Sequence, residues 1–176
     1  MNLSCPIEEI RKRIFELNEQ EPNISVAEMA SKLEVSEGEA TLALPSHYVF
    51  SIDGGCTQTI LQALPFWGNV TTIVHSHGSI FETKAPFPKG KVSHGYYNLM
   101  GRRDGELNGH LKIDLVTDVA FVSKPFRGME SHFIGFYEQA GNCVFKVYLG
   151  RDKKRQILTG QIELFRSLQR DLSNGK

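Results

Sequence analysis

The break in texture at Pro45 constrains this 176-residue chain more than any other feature. Before it, apolar residues recur at helical spacing. From Val70 to Leu149, short runs rich in Val, Ile, Thr, Phe and Tyr follow one another instead. Gly78, Pro86-Phe87-Pro88, Gly101, Asp104-Gly105 and Gly141-Asn142 separate the runs. Strand-like runs without helices between them specify antiparallel pairing, because a parallel crossover needs a dozen or more residues and usually a helix. The expected class is α+β, with a helical N-terminal cap, an antiparallel β-sheet core and a C-terminal helix. One compact domain suits the length. Within it, residues 1–46 are expected to form a helical subdomain, and 47–176 the β region with its terminal helix.

Local signals place the elements. Ile7, Ile10, Ile14 and Leu17 mark a first helix, closed by Pro22-Asn23. Ser25 with Glu28 has the form of a capping box, followed by the stripe Val26, Met29, Ala30 and Leu33. Ser36 opens a third short helix through Glu39, Leu42 and Leu44, stopped by Pro45. Tyr48 to Ile52 reads as a strand and Thr57 to Leu64 as a short helix. Phe133–Tyr137 and Val144–Leu149 make a hairpin around Ala140-Gly141-Asn142. A final helix is expected over Arg151–Leu172, with Ile157, Leu158, Ile162, Phe165 and Leu168 on one face.

Charge narrows the function classes. Twenty basic and 20 acidic residues leave no field for a polyphosphate backbone. The average hides a gradient: residues 1–48 hold 9 acids and 4 bases, 49–145 hold 8 and 8, and 146–176 hold 3 and 8. Residues 25–45 resemble a helix-turn-helix. The would-be recognition helix, however, offers Glu37 and Glu39 and no Lys or Arg, so it would repel DNA. Residues 1–9 lack the pattern of a secretory signal, and no apolar run is long enough to span a bilayer. Cys5, Cys56 and Cys143 are odd in number and far apart, without C-x-x-C, which suits a reducing cytoplasmic setting and packed or incidental thiols.

Chemistry concentrates in residues 75–110, which hold His75, His77, His94 and His110 and the run His94-Gly95-Tyr96-Tyr97-Asn98. The chain has no G-x-S-x-G elbow, no cysteine beside a histidine, no P-loop and no G-x-G-x-x-G after a strand. Glu82 and Asp114 lie too far apart in sequence to suggest a glycosidase pair. His75-Ser76-His77 followed by Glu82 imitates the first metal motif of a cupin, and His75 and His77 would share a strand face. Against that, the imitation second motif, Pro88-Lys89-Gly90…His94…Asn98, abuts the first and leaves no strands to close a barrel. Histidine and tyrosine together, with apolar β-surface and scattered bases, also suit haem. Its iron takes imidazole or phenolate, its porphyrin needs apolar walls, and its propionates favour cations or water. Ile73, Ile80, Phe81, Phe87 and Leu99 could supply walls; Lys84, Lys89, Lys91, Arg102 and Arg103 could supply charge.

Five segments in order, "IVHSHGSIFETKAPFPKGKVSHGYYNLMG", "GHLKID", "VAFVSKPFRGMES", "VFKVYLGRDKKRQIL" and "QIELF", resemble the ChuX/HutX type of bacterial haem-utilisation protein. The resemblance also covers the leader "SVAEMASKLEVSEGEATLALP". It implies a cytoplasmic haem carrier that passes imported ferric haem to a haem-degrading partner enzyme. It also implies a homodimer resembling one subunit of the longer, internally duplicated ChuS/HemS proteins, each chain matching half. By the same resemblance Tyr96 of "HGY" is the first candidate iron ligand, with His75 of "IVH" and His110 of "GH" close behind. His77 is then an accessory ligand or a surface residue, His94 a turn residue, and His47 and His132 packing residues. Alternatives to the carrier are a haem oxygenase-like enzyme and a cupin-like divalent-metal protein.

Overall fold

The computed structural model describes residues 1–76 and 78–175. Three helices open the chain: α1 (Ile7–Gln20), α2 (Val26–Leu33) and α3 (Glu37–Leu42). The two serines expected to cap do so. Ser25 and Ser36 accept from the N–H groups of Glu28 and Glu39, and each glutamate side chain reaches back to its serine N–H. After Pro45 come β1 (Val49–Asp53) and α4 (Thr57–Ala63), then β2 (Asn69–Ser76) and β3 (Ser79–Pro86). Three short strands follow: β4 (Gly90–Ser93), β5 (Tyr96–Met100) and β6 (Asn108–Leu111). The long strands β7 (Val116–Ser123), β8 (His132–Glu138) and β9 (Cys143–Leu149) precede the last helix, α5 (Gln161–Ser173).

The strands form two sheets, not one. Six are ordered β1-β7-β8-β9-β2-β3 and three β4-β5-β6, with every pairing antiparallel. Alternation along the central strands divides the interior into two layers. Val119 and Phe121 of β7, Ile134 and Phe136 of β8, and Phe145, Val147 and Leu149 of β9 face α4, α5 and the small sheet. Ala120, Val122, Phe133 and Tyr137 face the opposite way, onto Ile10, Ile14, Met29 and Ala40 of the helical cap. Gly38, Glu39, Ala40 and Thr41 of α3 are buried there, so the would-be DNA-reading helix spends its surface on the sheet.

The final helix starts ten residues, nearly three turns, later than its sequence suggests, at Gln161 instead of Arg151. Residues 151–160 are a return loop: Arg151 pairs with Ile157 as a bridge, and Asp152 accepts from the N–H groups of Lys154 and Gln156. Arg155 and Gly160 adopt positive φ, which no α-helix accommodates. Ile157 still packs on the core, so its apolar spacing mimicked a helical stripe without a helix. Gln161, 1% exposed, clamps three segments. Its Nε2 donates to Trp67 O (2.7 Å) and Asn69 O (2.8 Å), and its Oε1 accepts from Gly150 N (2.6 Å).

Candidate functional site

The structure brings two of the three predicted ligands together. Tyr96 begins β5 and His110 lies on β6; their rings meet edge to face with centroids 5.9 Å apart. His94-Gly95 is the tight turn between β4 and β5, with φ of 54° and 75°, as its sequence suggested. That turn aims Tyr96 outward, and alternation then sends Tyr97 inward to complete burial. Gly90 makes room for it, since a Cβ there would meet the Tyr97 ring at 2.3 Å. Burial pushes the Tyr97 phenol above its ordinary range, and the ring has no access to a surface ligand. Tyr96 remains 41% exposed. Asn98 Oδ1 lies 2.6 Å from His110 Nδ1, and the Lys112 ammonium sits 5.1 Å from the Tyr96 ring centroid. The hairpin therefore presents a phenol, an imidazole and a cation to solvent.

His75 is elsewhere. It ends β2 in the six-stranded sheet, opposite Ile80 of β3, on the face covered by the cap. It lines a cavity of about 180 Å³ between that face and the start of α2, with Ile24, Val26, Ile73, Phe126 and Phe133 as apolar wall. A second cavity, about 540 Å³, continues along the same face. The two share Ile73, Phe126, Ser131 and Tyr148, and together they make a trench. Lys84, Arg151 and Arg155 line its far part. Lys124 lines the near part and donates from Nζ to Pro22 O and Ile24 O, both at 2.9 Å, tying the cap to β7's end.

A buried polar cluster lies beside His75. Glu37 at the start of α3 is paired with Lys146 of β9, and ligand atoms of Glu37, His75 and Cys143 all lie within 4.8 Å of one another. Burial, then the Lys146 ammonium, lower the affinity of His75 for a proton; Glu37 opposes them and is outweighed. Burial pushes the Cys143 thiol up to about 12. For Lys146 burial is the largest influence and works downward, yet Glu37, Tyr148 and Cys143 together overcome it and the net shift is upward.

His132 makes hydrogen bonds with both ring nitrogens, to Ser123 Oγ (2.8 Å) and Glu130 Oε1 (2.9 Å), in keeping with a packing role. His77 lies outside the described residues. Sequence reasoning missed the trench, Lys124, Arg151 and Arg155 as its lining, and the Glu37–Cys143–Lys146 cluster. A lysine inside the apolar run "VFKVYL", alternating with Phe145, Val147 and Leu149, was the one available signal.

The family model for the haem-utilisation proteins ChuX/HutX matches residues 50–168. The chain belongs to the ChuX/HutX family. It is 52% identical to the intracellular haem transport protein HutX of Vibrio cholerae, over 95% of this chain and 86% of HutX. Among solved structures it matches the haem-binding protein ChuX with a TM-score of 0.81 and 32% identity, covering 91% of this chain and 99% of ChuX. The haem-degrading enzyme ChuS of Escherichia coli O157:H7 shares the fold, with a TM-score of 0.72 at 20% identity. This chain (92% covered) spans 47% of ChuS. One ChuX/HutX chain thus has the architecture of half a ChuS chain.

Proposed function

We propose that this protein carries haem inside the cell, binding ferric haem and surrendering it to a haem-degrading partner without turning it over. The kinship with HutX supports the cargo. The observation that carries the mechanism is the exposed grouping of Tyr96, His110 and Lys112. Tyr96 is the iron ligand in this reading. A phenolate is an anionic oxygen donor suited to ferric iron. Lys112 places positive charge beside the ring that would carry the negative charge. His110, held by Asn98, stands beside Tyr96 as an alternative or second ligand. A single ligand on an open surface leaves one haem face accessible to a recipient. A second copy of the chain, in a homodimer, would cover part of the porphyrin that one hairpin cannot enclose.

A second reading is favoured by the trench. There His75 would hold iron between cap and sheet, apolar side chains would flank the ring, and Lys84, Arg151 and Arg155 would meet the propionates.

Haemin titration followed by visible absorption separates the two. The first reading expects about one haem per chain, a changed spectrum in Tyr96→Phe, a smaller change in His110→Ala and none in His75→Ala. A spectrum altered only by His75→Ala selects the trench. Absence of stoichiometric haemin binding would sink the carrier itself. With a reductant and O₂ the bound haem should survive; release of iron and a linear tetrapyrrole would make the protein an enzyme.

A further inference from the structure

Glu37, His75 and Cys143 come from three separate elements, α3, β2 and β9, yet converge within 4.8 Å. A cap helix, a sheet strand and a second sheet strand therefore offer a carboxylate, an imidazole and a thiol to one point. The thiol reaches this face only because of a bulge. Phe145 pairs with Phe136 and Cys143 with Tyr137, leaving Val144 as the extra residue. Without it, Cys143 would share the face of Phe145 in the other layer.

We propose that Glu37, His75 and Cys143 form a binding site for a borderline divalent cation of the zinc class, separate from the Tyr96–His110 hairpin. This mixed set of nitrogen, sulfur and oxygen donors is the one such ions take, at about 2.0–2.3 Å from the metal. Donor atoms around a tetrahedral ion at those lengths lie roughly 3.3–3.8 Å apart. The side chains must close by about 1 Å from the 4.8 Å limit.

The cluster already holds one buried positive charge against its carboxylate. Lys146 is 5% exposed and is held charged there by Glu37. In the metal-free protein its ammonium is the counter-charge of that carboxylate. A divalent ion takes its place, and Lys146 turns into the 180 Å³ cavity it already lines. The same cavity reaches His75, giving the ion an entry path and an open fourth position for water. Tyr137 and Tyr148 also face the cluster, and their phenols are raised by burial, so neither competes as an anion. Charge balances as follows. Cys143 enters as a thiol and leaves its proton to solvent on forming the metal–sulfur bond; Lys146 keeps its own. One proton is released per ion, so apparent affinity falls about tenfold for each unit of acidification.

Cobalt(II) tests this on the reduced, haem-free full chain. The expected result is one Co²⁺ per chain, with intense visible bands of a four-coordinate ion and a thiolate-to-cobalt charge-transfer band in the near ultraviolet. Zn²⁺ should discharge both, and about one proton should appear in weakly buffered solution. Cys143→Ser should abolish the charge-transfer band and His75→Ala should weaken binding. The double variant Cys5→Ser/Cys56→Ser, which removes the two more accessible thiols, should keep the band. Far-ultraviolet circular dichroism checks that each variant is folded. No band in the wild type, or a band that survives Cys143→Ser, overturns the site. The hairpin haem reading stands or falls separately, since haemin is absent here; the trench reading shares His75 and would compete with the ion.

Discussion

Single side chains hold this fold together at points where backbone groups would otherwise be stranded. Gln161 satisfies Trp67 O, Asn69 O and Gly150 N at once, inside the protein. Leucine there would keep the volume and orphan all three. A buried unpaired backbone group costs about 1–3 kcal/mol, and partial rearrangement relieves some of that. Gln161→Leu should therefore lower unfolding free energy by about 3 kcal/mol in a urea titration. At the same scale, the parity rule that identifies inward residues on a strand worked for Phe145, Val147 and Leu149 and failed for Cys143. The bulge at Val144 reverses parity there, and nothing in "AGNCVFKV" announces it. Tyr96 and Tyr97 show the converse: adjacent and chemically alike, they are separated by simple alternation once the His94-Gly95 turn fixes the register.

Elements differ in how they are anchored. The cap relies on its caps. Glu39 accepts from the N–H groups of Ser36 and Ser4 while buried at 3% exposure; burial raises its carboxyl, but these hydrogen bonds prevail and bring it down to about 2 from 4.5. A folded value below the unfolded one means stabilisation that is complete above pH 4.5 and lost as pH falls towards 2. At about 1.4 kcal/mol per unit this amounts to about 3 kcal/mol. Helical signal from residues 7–42 should therefore fade in that window before the sheet signal does, and Glu39→Gln should flatten the acid limb. An acid transition unchanged by that substitution would contradict the assignment. Lys124 provides the other anchor. Lys124→Met leaves Pro22 O and Ile24 O without their donor, and hydrogen exchange at 24–30 should accelerate by roughly tenfold or more, equivalent to at least ~1.4 kcal/mol. Element identity was legible because capping boxes and breakers are local signals. The late start of α5 was not. Whether residues 151–160 coil or turn depends on Arg151 meeting Ile157 and on Leu158 N reaching Gly150 O, which are choices made against the sheet.

For the molecule as a whole, family and half-of-ChuS architecture were legible from the order of motifs, since collinear segments survive where single residues do not. The arrangement of the candidate site was not. Three ligand candidates close in sequence divide between two sheets, because β3 and β4 end in different layers. This chain spans 47% of ChuS, so two copies would restore its length. The homodimer proposed above should sediment as two chains at micromolar concentration, and haemin should leave that mass unchanged apart from its own. A monomer at all concentrations would remove the second copy from the Tyr96 reading.

The trench has a roof that belongs to one element and a floor that belongs to another. Residues 24–27 lie above its near part, β2 and β9 below, and Lys124 is the fastening between the two. For anything seated in that near part, lifting the roof widens the way out. Its lifetime would then depend both on the grip of the floor and on how firmly Lys124 holds its two carbonyls. Occupancy would in turn hold the roof down, by about 2.7 kcal/mol at a hundredfold excess over the dissociation constant. A ligand of the trench and the anchorage of the cap would thus be coupled: filling the one would steady the other, and loosening the cap would weaken binding.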